Sequence, residues 1–211
     1  MNKKGILTVV SGFSGAGKGT IMKELLKKYG CYALSVSATT RAPRPGEADG
    51  REYFFKTKEE FEKMIAKAEL IEYARYVENY YGTPKTYVEE QLNAGKDVIL
   101  EIEIQGARAI RRQFPEAVLL FVTTKDAQEL KNRLLRRGTE AQEVIAQRLL
   151  RAVQESEGIE EYDYLVVNDE LEACVEEVHA IIESEHRRIR YNMDLVNRVR
   201  EELRCFSKGE S

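Results

Sequence analysis

An α/β fold, with a mainly parallel central sheet between two helical layers, is predicted by two features of this sequence. Apolar runs at residues 6–10, 98–104, 117–122 and 164–167 alternate with helix-like segments. Near-continuous apolar strands separated in this way are those of a parallel sheet covered on both faces. The first run also leads into a glycine-rich loop and then a helical pattern at residues 21–28. That order of strand, loop and helix places the first strand in the middle of the sheet, with a ligand site at its C-terminal end.

The loop itself specifies the ligand class. Gly12, Phe13, Ser14, Gly15, Ala16, Gly17, Lys18, Gly19 and Thr20 follow one another. Glycines at 12, 15 and 17 let the backbone turn its N–H groups toward one point, and the positive end of the following helix adds to the same spot. Lys18, directly after the last loop glycine, reaches the terminal phosphates of a nucleotide as a mobile point charge. The pattern is that of a P-loop, with one departure. Gly19 occupies the place where the common motif has a magnesium-binding Ser or Thr, so Thr20 is the hydroxyl this turn offers.

Composition bounds the remaining possibilities. The chain has 211 residues, 43% hydrophobic and 33% charged, which suffices for a sizeable core in one or two domains. A formal net charge of −3 gives no general attraction to nucleic acid or to an anionic membrane, so basic sites must be local. Cys31, Cys174 and Cys205 are too far apart for a metal knuckle, and His179 and His186 stand alone in sequence. Reduced thiols and a soluble, cytoplasmic protein are expected. The first apolar run is too short for a signal sequence, and no run approaches a membrane span.

Between residues 35 and 93 the texture changes. Pro43, Pro45, Gly46 and Gly50 mark loops, and residues 52–55 and 71–76 read as short strands. Thr57 followed by Glu60 forms a capping box for a helix through Ala66, while Thr83-Pro84 reads as a second cap and first helical position. Residues 126–158 read as two charged helices split at Gly138, carrying Arg133, Arg136, Arg137, Arg148 and Arg151, with the character of a mobile lid. Residues 171–203 read as one amphipathic helix packed on the sheet. The division expected is a core of residues 1–34, 94–125 and 159–211, an insert of 35–93, and a lid of 126–158.

The insert carries the motifs that narrow the family. Ser37-Ala38-Thr39-Thr40-Arg41-Ala42-Pro43-Arg44-Pro45-Gly46-Glu47, then Tyr53-Phe54-Phe55, then Tyr80-Tyr81-Gly82-Thr83 resemble guanylate kinases, P-loop enzymes that phosphorylate GMP. The resemblance runs from about Gly5 to beyond Asp169. It implies ATP as phosphoryl donor, Mg²⁺ as cofactor, and conversion of GMP, and of dGMP, to the diphosphate in purine nucleotide metabolism. It implies no nucleic-acid, membrane or obligatory protein partner. The insert is then a GMP-binding subdomain. By the same resemblance Ser37, Arg41, Arg44, Tyr53 and Tyr81 hold the GMP phosphate, and Asn168 and Asp169 lie near the adenine of ATP. Glu72 and Glu103 accept hydrogen bonds from the guanine edge and Thr83 donates to O6. Glu101 and Glu103 stand where the family commonly has aspartates, keeping the charge on a longer arm. Glu101 and Thr20 are the magnesium ligands implied, directly or through water, and Glu101 also lies near the substrate.

Two physical arguments accompany the resemblance. Guanine presents N1–H and N2–H donors beside an O6 acceptor, whereas adenine has an acceptor at N1. Carboxylates beside a hydroxyl donor therefore suit guanine. The attacking atom is a phosphate oxygen, already anionic, so catalysis reduces to aligning two anions and neutralising charge on the transferring group. Lys18, Arg44, Arg137 and Arg148 match the family's catalytic cations. Two rivals stay open from sequence: a kinase of another nucleotide, which would lack Glu72, Thr83 and Glu103 together, and a non-catalytic guanylate-kinase-like interaction module, which would lack an intact loop lysine.

Overall fold

The computed structural model describes residues 4–76, 78–136 and 142–207, with the side chains of Tyr76 and Gln142 excepted. Strand β1 (Leu7–Gly12) runs into helix α1 (Lys18–Lys28), followed by β2 (Tyr32–Leu34), β3 (Ala38–Thr39), β4 (Phe54–Phe55), α2 (Lys58–Ala66), β5 (Leu70–Tyr76), β6 (Asn79–Pro84) and α3 (Lys85–Asn93). The second half comprises β7 (Asp97–Glu101), α4 (Ile104–Gln113), β8 (Val118–Thr123), α5 (Ala127–Arg136), α6 (Gln142–Ser156), β9 (Tyr164–Val167), α7 (Leu171–Glu185) and α8 (Met193–Ser207).

The main sheet has the order β2-β7-β1-β8-β9, with every pairing parallel. The loop-bearing strand is central, as expected, and every residue of it is buried. Side chains alternate across a strand, and β1 uses that alternation to join two cores. Val10 packs with Ile21, Leu25, Val175, Val178 and Ile182 beneath α1 and α7. Leu7 and Val9 pack with Val88, Leu92, Ala107 and Ile110 beneath α3 and α4. With both faces covered, polar alternation is not required, which explains the unbroken apolar runs.

A second sheet, β4-β3-β6-β5, lies within the region of changed texture. The strand expected over residues 52–55 shortens to Phe54–Phe55, with Tyr53 in an isolated bridge to Asp49. The capping box on α2 is present: Glu60 N–H donates to Thr57 Oγ1 at 3.2 Å and Thr57 N–H to Glu60 Oε2 at 2.7 Å. Thr57→Ala should therefore cost about 1 kcal/mol of stability, read by urea unfolding.

Three expectations are corrected. Thr83 does not cap α3; Pro84 holds the N-cap position without a side-chain bond, and the Thr83 hydroxyl points instead to Glu72. The strand expected over 98–104 ends at Glu101, and Glu103 is the N-cap residue of α4. Ile104, Ala107 and Ile110 belong to that helix, and their three-residue spacing was masked by the preceding Glu-Ile-Glu-Ile alternation. The single C-terminal helix is two. α7 packs on the sheet, whereas α8 does not, leaving Leu195, Val199, Leu203 and Phe206 exposed. Periodicity defines an apolar face without saying what covers it. Among the described residues no helix is long and apolar enough to cross a membrane.

Candidate active site

The loop after β1 is shaped by close backbone approach. Gly15 and Gly17 hold φ at 96° and 94°, in the region that favours glycine. A Cβ at Gly17 would stand 2.4 Å from Asn168 Nδ2, and one at Gly12 would stand 2.1 Å from the Val122 carbonyl oxygen. Lys18, the first residue of α1, folds its ammonium over the loop, donating to the carbonyls of Gly12 at 2.5 Å and Phe13 at 3.4 Å.

Three side chains brace this loop from neighbouring elements. Asn168, buried just after β9, donates from Nδ2 to the Ala16 carbonyl at 2.7 Å. Arg133 on α5 donates to the Asn168 carbonyl at 2.8 Å and the Ala16 carbonyl at 3.4 Å. Arg148 on α6 donates to Ser14 Oγ at 2.9 Å, which brings α6 onto the loop. Asp169 points away to an ion pair with Lys125 at 3.2 Å. Arg137 and Gly138 lie outside the described residues.

Glu101 ends β7 in register with Val10, and a Cβ on Gly19 would lie 3.9 Å from both of its carboxylate oxygens. Loss of hydration pushes the Glu101 carboxyl above the usual range; the Lys18 charge opposes this and the Glu103 charge adds to it. Thr20, exposed in the first turn of α1, supplies a hydroxyl beside this edge. A carboxylate and a hydroxyl are the hard oxygen donors that suit Mg²⁺, which takes few protein ligands and completes its shell from water and phosphate. The donor set fits that ion.

The second sheet gathers the anion-binding candidates. Tyr81 pairs with Thr39 across β6 and β3, close to Ser37, and its ring lies 6.0 Å from that of Tyr53. The Arg41 guanidinium covers Tyr53 and Phe55 at 5.3 and 5.8 Å. Sequence reasoning placed Arg41 and Arg44 together over one phosphate. The structure adds Glu47, whose two oxygens accept from Arg41 Nη2 at 3.0 and 2.9 Å and one of which accepts the Arg44 N–H at 2.8 Å, while Arg41 Nη1 donates to the Ala42 carbonyl at 2.7 Å. Arg44 is exposed. Its position three residues before Glu47, in a Pro-Gly turn, was the available signal.

Glu72 and Thr83 face each other across β5 and β6, and the Thr83 hydroxyl donates to Glu72 Oε1 at 2.7 Å. Both are buried, at 6% and 0% exposure, so this carboxylate is not a solvated strand residue. Burial raises its pKa, opposed by the Thr83 hydroxyl and N–H. Gly106 lies alongside: a Cβ there would be 3.1 Å from Glu72 Oε2, a constraint that sequence reading missed. Glu103, just before α4, meets Arg151 of α6 at 3.2 Å. The arrangement thus has two ends. Lys18, Ser14, Glu101 and Arg148 gather at the phosphate loop, Arg41, Tyr53, Tyr81, Glu72 and Thr83 on the second sheet, and β7 and α4 join them.

The family model for guanylate kinase matches residues 4–185. A guanylate kinase of Oceanobacillus iheyensis is 52% identical over 88% of this chain and 90% of its own length. One from Caldanaerobacter subterraneus is 47% identical over 96% of this chain and 98% of its own. Among solved structures, guanylate kinase from Anaplasma phagocytophilum superposes with a TM-score of 0.72 at 30% identity, covering 88% of each chain. Loop, second sheet and these likenesses agree, and the chain belongs to the guanylate kinase family.

Proposed function

We infer that this enzyme's reaction, ATP-dependent phosphorylation of GMP, is divided among three parts of the chain. The core of residues 1–34, 94–125 and 159–211 holds ATP. Gly12, Ser14, Gly15, Ala16, Gly17, Gly19 and Thr20 form the phosphate cradle, Lys18 neutralises the transferring end, and Asn168 serves by bracing the loop, while Asp169, paired with Lys125, would have to turn to reach the adenine. Residues 35–93 hold GMP, its phosphate on Ser37, Arg41, Arg44, Tyr53 and Tyr81. The lid of 126–158 brings Arg148, and with it Arg137, onto the transferring group. Its closure excludes water and so limits ATP hydrolysis.

The observation that carries the base assignment is the buried Glu72–Thr83 pair. In the structure the hydroxyl donates to the carboxylate. When guanine enters, Thr83 turns its hydroxyl to O6, while Glu72 and Glu103 accept from the N–H edge. Adenine would set its N1 lone pair against a carboxylate and leave buried groups unpaired, a penalty of several orders of magnitude. dGMP keeps every one of these base contacts and is expected to be a substrate.

The attacking GMP oxygen is anionic and needs no general base. Lys18, Arg44 and Arg148 offset the repulsion between two phosphates and align them for in-line transfer. Glu101 and Thr20, together with the nucleotide, would hold Mg²⁺, which would supply further positive charge against the transferring phosphates. Cys31, Cys174 and Cys205 are free thiols, consistent with the cytoplasmic setting we propose.

The test is ADP production with ATP and magnesium, offering GMP, dGMP, AMP, CMP, UMP and dTMP in parallel. Turnover confined to GMP and dGMP is expected. Equal turnover of AMP would discard the assignment of Glu72 and Thr83. In the same assay Lys18→Ala should lower kcat about a hundredfold, the scale of losing one preorganised charge-stabilising donor; retention of kcat within threefold would remove Lys18 from the mechanism.

A further inference from the structure

One face of α6 touches both ends of the site. Arg148 reaches Ser14 in the phosphate loop at 2.9 Å. Three residues later, Arg151 stands between two carboxylates: its Nε donates to Glu155 Oε1 at 2.8 Å, and its Nη2 lies 3.2 Å from Glu103 Oε2. Glu103 makes no side-chain capping bond to α4, although it holds the N-cap position. Its side-chain contact is therefore with α6 and not with its own helix.

The charge balance at this point is narrow. Glu155 is nearly enclosed, its side chain 12% exposed, whereas that of Glu103 is 61% exposed. Burial first, and then the charge and hydrogen-bonding oxygen of Glu103, favour the protonated form of Glu155, with Arg151 opposing. Glu103 also acts on Glu101 at the end of β7 and on Tyr162 before β9. A guanidinium held between Glu103 and Glu155 offsets their mutual repulsion and favours one orientation of the Glu103 side chain.

We propose that Arg151 is a positioning residue for guanine recognition, holding the Glu103 side chain in place while tying the base site to the same helix face that carries Arg148. This rests on the reading of Glu103 as an acceptor for the guanine edge. Lid position and base recognition are then coupled through one side chain, and the pair Arg151 and Glu155 acts without touching the reacting atoms.

The experiment is steady-state kinetics in varied GMP at saturating ATP, with calorimetric GMP binding as a second readout. Arg151→Met should raise the GMP KM and Kd about tenfold while kcat falls less than threefold. Arg151→Lys should recover most of the loss. Glu103→Gln separates the two readings: unchanged GMP affinity there would overturn the role of Glu103 and the proposal with it. A raised KM in Glu103→Gln with wild-type KM in Arg151→Met would overturn the Arg151 proposal alone. Equal losses of kcat and kcat/KM in Arg151→Met would also overturn it.

Discussion

Arg148→Ala is expected to lower kcat about 10³-fold, the lower end of what an arginine placed on a transferring phosphoryl group contributes, with the GMP KM changed less than fivefold. Arg148 is carried by α6, yet its guanidinium is already at the phosphate loop, 2.9 Å from Ser14 Oγ. In the transition state negative charge spreads over the transferred group, and a guanidinium held there interacts more strongly than in the ground state. The loss should therefore fall on kcat. Arg148→Lys should recover little, because an ammonium lacks the planar fork that bridges two oxygens. Single-turnover measurement with premixed GMP separates this from slow product release. Retention of single-turnover rates within threefold of wild type would assign the residue to the surface of the lid.

Glu72→Gln should lower kcat/KM for GMP at least a hundredfold, mostly through KM, and narrow the preference for GMP over AMP. Two charge-assisted bonds to guanine are lost, each worth about 1.5–3 kcal/mol, and the new amide presents a donor toward a donor. The same change should raise the stability of the unliganded protein at neutral pH. Burial raises the folded-state pKa of Glu72 above its unfolded value. The folded state therefore binds this proton more readily than the unfolded chain, and stability contributed by this group falls as pH rises through the window above the ordinary carboxylate range. Gln removes that cost. Thermal melts should show the variant more stable than wild type at pH 7, with the gap closing toward pH 4. Unchanged selectivity would remove Glu72 from base reading, and a lower melting point at pH 7 would show that hydrogen bonding from Thr83 outweighs the cost of burial.

The difference between these residues and the rest of the site bears on what a sequence can reveal. The phosphate loop was legible because its chemistry is local: glycines, lysine and helix start are contiguous, and spacing along the chain is spacing in space. The parallel sheet was legible for a related reason, since residues buried on both faces leave unbroken apolar runs. The capping box at Thr57 and Glu60 is likewise a matter of three residues. Where a segment served two roles, the local signal misled. Thr83 before Pro84 has the composition of a helix cap, and only its cross-strand neighbour Glu72 shows where its hydroxyl goes.

The strand over residues 98–104 was extended too far for the same reason, because alternation of Glu and Ile is compatible with a strand until the packing of Ala107 and Ile110 beneath the sheet selects a helix from Ile104. The C-terminal segment shows the converse case: α7 and α8 both carry apolar faces, yet only α7 is covered.

What the sequence by itself determined about this protein was its fold class, its phosphate-binding loop and, through the arginine, tyrosine and acidic motifs of the insert, its kinship to guanylate kinases. Only the tertiary structure decided which ionisable groups meet. Asn168 under Gly17, Arg148 on Ser14 and Arg151 on Glu103 join residues from different loops and helices. Hydrogen bonds and ion pairs depend on distances of about 3 Å, which chain spacing constrains only within a turn or a helix, so partnerships across the fold are set by packing.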